Sequence, residues 1–200
     1  MKKQIDKVDY DISGLRGVPT FPVLDGLRFP LIGQTVLITS VNKEDVPSLG
    51  VKGSVSIFSS SPPIVGFGCK TTHLVAKNIL STGQFIINVP GTDLAKKIWQ
   101  MAGAEPAGEK EMAQAGFTPI RSVKLSAPRI AECRAHLECS LDWTKKYGEE
   151  MVIFGRVLLA SVDKSVADAE VLERYKQLKL FAQLDNGVYG VIKEAKKASF

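Results

Sequence analysis

The feature that most constrains this chain is the alternation between residues 131 and 142. Ala131, Cys133, Ala135, Leu137, Cys139 and Leu141 interleave with Glu132, Arg134, His136, Glu138, Ser140 and Asp142. Period two over such a length fits an extended strand with one apolar and one polar face, and a helix of period about 3.6 cannot carry it. The expectation is one long strand, its apolar set buried and its polar set in water. After a turn at Lys145-Lys146-Tyr147-Gly148, Met151 to Val162 reads as a second long apolar strand, with Gly155 marking a bulge or bend.

Further strands precede these two. Thr35-Val36-Leu37-Ile38-Thr39-Ser40 is β-branched and aliphatic, and Asn42-Lys43-Glu44-Asp45 turns the chain. Val51 to Phe58 is strand-like and rich in serine. Pro62-Pro63 interrupts it, and Ile64-Val65-Gly66-Phe67-Gly68 is a short apolar strand. A helix follows, with Thr71 or Thr72 as N-cap, Leu74, Val75 and Ile79 on one face, and Gly83 at the position after its last turn. Phe85 to Val89 is a buried strand stopped by Pro90. A second helix opens at Thr92 and ends at Gly103, and residues 104–118 read as a surface excursion. An amphipathic helix from Ala169 to Leu180 closes the chain. Consecutive long strands with few helices between them predict an antiparallel barrel with helical caps. A doubly wound sheet would need a helix after nearly every strand.

Composition narrows the chemistry. The chain has 200 residues, 44% hydrophobic, which suits one globular domain. The expected parts are an irregular entry segment over 1–30, a barrel over 31–165, and a C-terminal helix and tail over 166–200 packing on it. No apolar run approaches the roughly 20 residues of a membrane span, and the polar start Met1-Lys2-Lys3-Gln4 carries no export signature, so the expected address is the cytoplasm. Cys133 and Cys139, six apart in one strand, would lie about 20 Å from each other, beyond disulfide reach. All three cysteines are expected as small buried apolar residues. With two histidines and no CxxC, a metal site is not expected. The net charge of +5 comes from scattered Lys and Arg, which argues against a nucleic-acid footprint and fits solubility and attraction of anionic ligands.

One segment has the makings of an anion site. Gly66-Phe67-Gly68-Cys69-Lys70-Thr71-Thr72 links a strand to a helix, so backbone N–H groups, a helix dipole, two hydroxyls and an ammonium converge. It matches neither the Walker A loop nor the dinucleotide fingerprint. A capped helix with a solvated lysine is the alternative reading. His73 sits in the first helical turn and either contacts an anion or stays exposed. Ser54 to Ser61 is either a turn or a row of hydroxyls lining a pocket. No GxSxG elbow occurs, and His136 reads as a surface residue rather than a base. A chain with an anion loop but no nucleophile points to a cofactor that brings its own reactivity.

In this order the segments resemble the flavin reductase-like family, which includes flavoredoxins. The resemblance rests on Thr35 to Ser40, on Ser54 to Pro63, on the Lys70-Thr71-Thr72-His73 loop, on Asn78-Ile79-Leu80-Ser81-Thr82-Gly83-Gln84-Phe85-Ile86-Ile87-Asn88-Val89-Pro90, on Leu137-Glu138-Cys139-Ser140-Leu141 and on Gly155-Arg156-Val157. It implies an FMN-binding antiparallel split barrel and a homodimer with FMN near the subunit boundary. It also implies passage of electrons from NAD(P)H or a redox partner protein through the flavin to an acceptor. By the same resemblance, Ser54, Val55 and Ser56 would meet the ring and ribityl chain. Lys70, Thr71, Thr72 and His73 would hold the phosphate, with Asn78 farther along the helix. Val75 stands where members often have threonine, which moves the phosphate role onto Thr71 and Thr72. Gly148-Glu149-Glu150 stands where many reductases have Gly-Asp-His. A non-enzymatic FMN electron carrier is the alternative, and a basic nucleic-acid-binding barrel the more distant one.

Overall fold

A link of three residues dictates the architecture. In the computed structural model, which describes residues 33–102, 109–185 and 188–198, strand β3 (Pro47–Lys52) and strand β4 (Ser56–Ser60) are joined by Gly53, Ser54 and Val55 alone. Yet these strands do not pair. Numbering strands in chain order, the main sheet runs β4-β5-β11-β10-β6-β2-β3-β7, so β3 and β4 lie near its opposite edges. A link of about 13 Å at full stretch can join them only if the sheet curls until its edges approach. The result is a barrel that stays open along one seam, between β3 and β4.

The remaining members of that sheet are β2 (Val36–Val41), β5 (Pro63–Lys70), β6 (Gln84–Val89), β7 (Glu109–Glu111), β10 (Ala135–Tyr147) and β11 (Glu150–Val162), all antiparallel to their neighbours. Strands β1 (Gly33–Gln34), β12 (Phe181–Asp185) and β13 (Val188–Val191) form a second small sheet, and β8 (Pro119–Ile120) pairs with β9 (Arg129–Ile130). Helix α1 (Leu74–Thr82) lies against β2 and β3; α2 (Ala95–Ala102) follows β6. The short helices α3 (Met112–Ala115) and α4 (Lys164–Ala167) and helix α5 (Val171–Leu178) complete the described chain. This is the expected antiparallel split barrel with helical caps.

Two apolar cores follow from the curl. Inside the barrel, Val65, Phe67, Phe85, Ile87 and Ile153 meet Val75 and Ile79 of α1. Outside it, Leu37, Leu49, Ile98, Met112, Phe117 and Phe181 form a second cluster. Every residue of β2 is buried, because it is covered on both faces. The end of the Phe85 ring closely approaches β11 at Gly155. A Cβ added at Gly155 would fall 2.3 Å from Phe85 Cζ and 2.6 Å from its Cε1. Gly155 is therefore a contact glycine and stays in register with Leu141; the irregularities lie on either side of it, between Glu138 and Cys139 and between Leu141 and Trp143.

The alternating segment needs correction at both ends. Residues 131–134 form a turn, and the strand begins at Ala135 and runs through the expected turn to Tyr147. The first part of its polar face is not in water: His136 is 6% exposed and Glu138 fully buried, whereas Asp142 farther along is exposed as expected. The chain between β8 and β9 covers that face. Glu138 accepts the backbone N–H groups of Val123 (2.9 Å) and Lys124 (2.7 Å), and the Arg129 Nε lies 3.9 Å from it. A buried carboxylate with two backbone donors and a guanidinium is tolerated where an unpaired one would not be.

Other expectations also change. Helix α1 starts at Leu74 with His73 as N-cap residue, not Thr71 or Thr72, though Gly83 does close it in a left-handed conformation (φ 69°) with its N–H on Ile79 O at 2.8 Å. Residues 51–58 are not one strand but the end of β3, the link and the start of β4. Residues 109–111 of the supposed surface excursion pair with β3, and Met112 and Phe117 enter the outer core. The C-terminal helix ends at Leu178 and two strands follow it. Gly103 and the 1–30 entry segment lie outside the described residues. The three cysteines are free and buried, as expected; burial and then the Glu138 charge push the Cys139 thiol up to about 12.

Candidate functional site

The seam between β3 and β4 is where the predicted residues meet. Ser54 and Val55 are the link itself, and Ser56 opens β4 opposite Gly66 of β5. An added Cβ on Gly68 would sit 4.0 Å from Ser54 Oγ, so the link runs beside β5 toward its C-terminal end. There Lys70 ends β5, the chain turns through Thr71 and Thr72, and His73 begins helix α1. Ser54, Ser56, Gly68, Lys70 and Thr72 are exposed, whereas Val55 packs on the inner core. Small residues and hydroxyls thus form an accessible strip along β5, ending at a helix N-terminus with a positive dipole.

Two predicted residues are committed elsewhere. The Thr71 backbone N–H (2.8 Å) and its hydroxyl (3.0 Å) both donate to Glu149 O in the β10–β11 turn. A hydroxyl has one proton, so Thr71 in this arrangement cannot donate to an anion as well. The Asn78 side chain turns inward and donates to Ser48 Oγ at 2.8 Å, and Ser48 in turn meets Ser40 Oγ at 2.9 Å. Asn78 thereby ties α1 to β2 and β3 beneath the strip. Thr72 and Lys70 remain on the accessible side, where Lys70 faces Glu150 across the ladder.

Sequence reasoning missed Lys52. It ends β3, is only 9% exposed, and places Nζ 3.2 Å from His73 Nδ1. The Cys69 Sγ lies 3.8 Å from the same nitrogen. A lysine at the end of an unremarkable strand carries no local signal; only the curl of the sheet brings it to the start of α1.

His136 is remote from this strip and is no surface residue. Its Nδ1 lies 3.0 Å from Asn88 Oδ1. Burial first, and the Arg129 charge second, push its imidazole down from 6.5 to about 4, against the opposing pull of Asp163 and Glu138. It is therefore neutral near pH 7 and buttresses the strands. Among the described residues no cluster of three or more His, Cys, Asp or Glu is placed to hold a metal ion, and no helix is long and apolar enough to cross a membrane.

An aromatic group lies across β4, β10 and β11. Trp143 stacks on Phe154 (centroids 4.3 Å apart, planes at 11°), and Phe58 meets Phe154 edge-on at 4.7 Å. Phe58, Trp143, Ile57 and Tyr147 are 58%, 49%, 78% and 64% exposed, which makes this an apolar surface rather than a core.

An open antiparallel barrel with this strand order defines a split-barrel protein. The chain belongs to the flavin reductase-like family: the family model described as "Flavin reductase like domain" matches residues 29–179. Members of this family are flavin-linked oxidoreductases. An uncharacterised protein of Aquifex aeolicus is 24% identical over 157 residues, spanning 76% of this chain and 80% of that one. The fold matches nitrilotriacetate monooxygenase component B from Bacillus cereus, with TM-score 0.82 and 20% identity over 98% of this chain and all of that one. It also matches the flavoredoxin of Desulfovibrio vulgaris (Miyazaki F), with TM-score 0.73 and 16% identity over 85% and 92% of the two chains.

Proposed function

We propose that this protein is an FMN-binding oxidoreductase of the cytoplasm that passes electrons from NAD(P)H through the flavin to an acceptor. The observation that carries this reading is the accessible strip at the seam, where Ser54, Ser56, Gly68, Lys70 and Thr72 lead to the start of α1. Its chemistry fits the flavin: the exposed Gly68 lets a flat ring approach the backbone of β5, hydroxyls suit a ribityl chain, and cations with a helix N-terminus suit a phosphate. When bound, FMN supplies hydride acceptance at its N5. The chain's own residues bind and orient: the serines and backbone N–H groups fix the polar edge of the ring, and Thr72 and Lys70 hold the phosphate. Val55, seated in the core, keeps the link from collapsing onto the strip. Three buried free thiols suit a reducing compartment.

A homodimer completes the reading, formed through the Phe58–Phe154–Trp143 face that flanks the strip. Such an exposed aromatic surface is what a subunit contact buries.

A second reading, a flavoredoxin-type electron carrier without direct NAD(P)H oxidation, is favoured by the turn that follows β10. Gly148 and Glu149 form that turn and Glu150 begins β11, placing acids beside the strip. Anionic side chains there would repel a nicotinamide nucleotide's phosphates. Purified protein with absorbance bands near the flavin wavelengths supports both readings. Anaerobic bleaching of those bands by NADH or NADPH selects the reductase, and bleaching by dithionite alone selects the carrier. Protein that takes up no FMN and is retained on DNA in a salt-dependent way would overturn both.

A further inference from the structure

We propose that Lys52 is the phosphate-selecting residue of this site, its buried ammonium acting as counter-charge to the ligand's terminal phosphate. The inference rests on the flavin reading above and adds a residue and a specificity to it. Lys52 is 9% exposed, and among the described residues no carboxylate lies within ion-pair distance of it. Its ammonium meets His73 Nδ1 at 3.2 Å. An ammonium donates only, so that nitrogen accepts, and the His73 proton sits on Nε2. The ring nitrogen accepts from one of the three ammonium N–H groups and brings no negative charge to offset the cation.

A cation withdrawn from water without a counter-ion is an unfavourable arrangement that an incoming anion relieves. The geometry says where that anion would sit. Lys52 reaches the seam at the first residue of α1's N-terminal boundary, where His73 turns its side chain to Lys52 and not onto its own helix. The helix dipole and the ammonium therefore act on the same place. Lys70, the cation that the sequence singles out, is exposed and opposite Glu150, so solvent and a neighbouring acid weaken its pull. Being buried, Lys52 is screened less and discriminates more.

The required chemistry is a phosphate dianion, which FMN, a nicotinamide nucleotide or free phosphate could each provide, so the test separates them. Dissociation constants of FMN and riboflavin are measured by flavin fluorescence quenching for the full chain and for Lys52→Met, with thermal melting to monitor folding. The expected result is at least a tenfold weaker FMN affinity in Lys52→Met with riboflavin changed less than twofold. Inorganic phosphate should compete with FMN in the parent protein and not in the variant, and NADPH should not displace FMN at its Kd-equivalent concentration. Lys52→Arg, which keeps the charge, should retain most of the discrimination. An unchanged FMN affinity, or equal weakening of FMN and riboflavin, overturns the role of Lys52 while leaving the flavin site standing. Should Lys52→Met fail to fold, loss of FMN-over-riboflavin preference in Lys52→Gln supports the assignment and its retention overturns it. If the parent protein binds neither flavin, the reading of the site falls and the assignment with it.

Discussion

His136 Nδ1 lies 3.0 Å from Asn88 Oδ1, and that same oxygen receives the backbone N–H of Ile130 at 3.0 Å. The Asn88 amide nitrogen donates to Leu37 O and to Thr39 Oγ1, and Thr39 donates onward to Pro128 O at 2.6 Å. One polar chain thus joins β10, β6 and β2 to the covering segment through a proton on His136 Nδ1, and burial beside Arg129 requires the ring to stay neutral.

That requirement makes stability depend on pH. The unfolded histidine takes a proton near 6.5 and the folded one only near 4, so between these values the unfolded state binds more protons. Stability is complete above pH 6.5 and falls as pH drops toward 4. Urea unfolding should give about 2 kcal/mol less stability at pH 5 than at pH 8 from this group. His136→Gln should flatten the slope in that window; an unaltered slope would assign it to other groups.

Gly155 and Phe85 form a steric pair. Gly155→Ala puts a methyl group inside the Phe85 ring and should destabilise the protein by roughly 2 kcal/mol or more. Phe85→Leu alone should also cost stability, through lost packing. The double variant should be more stable than the sum of the two singles predicts, as a double-mutant cycle in denaturant would record.

The two threonines at the start of α1 should behave differently. Thr71 already donates to Glu149 O, and Thr72 is exposed. Thr72→Val should lower FMN affinity at least about tenfold, at the scale of one charge-assisted hydrogen bond. Thr71→Val should leave affinity within twofold and lower stability by about 1 kcal/mol. Equilibrium titration with thermal melting reads both, and a reversed order would move the phosphate toward the β10–β11 turn.

The aromatic face carries the dimer proposal. Trp143→Glu replaces the exposed ring stacked on Phe154 with a charge and should convert the dimer to a monomer without loss of secondary structure. Light scattering at several concentrations decides it, and a dimer of unchanged mass would place the interface on another surface.

The barrel was legible because β-branched and aliphatic runs such as Val36 to Ser40 and Met151 to Val162 favour extended chain and are too short or too closely spaced for intervening helices. The polar side of β10 was not, since alternation distinguishes two faces without saying whether water or another segment covers the second. Helix α5 is closed after Leu178 by Lys179, left-handed at φ 49° without a glycine, so nothing in the sequence kept Lys179 and Leu180 out of the expected helix. Glu109-Lys110-Glu111 has no β signal and is a strand only because β3 offers an unpaired edge. The strip residues were found through the strand–loop–helix pattern and family order. Lys52 was not, because its position depends on sheet closure between residues distant in sequence.

The covering segment hangs from Glu138 by main-chain donors at positions 123 and 124. Every amino acid except proline offers that N–H. One side chain on a rigid strand therefore fixes a stretch of chain whose own lettering is unconstrained by the bond. Residues 123 and 124 can drift between relatives while the anchor stays put, and the segment can be redesigned for new surface properties without touching what fastens it.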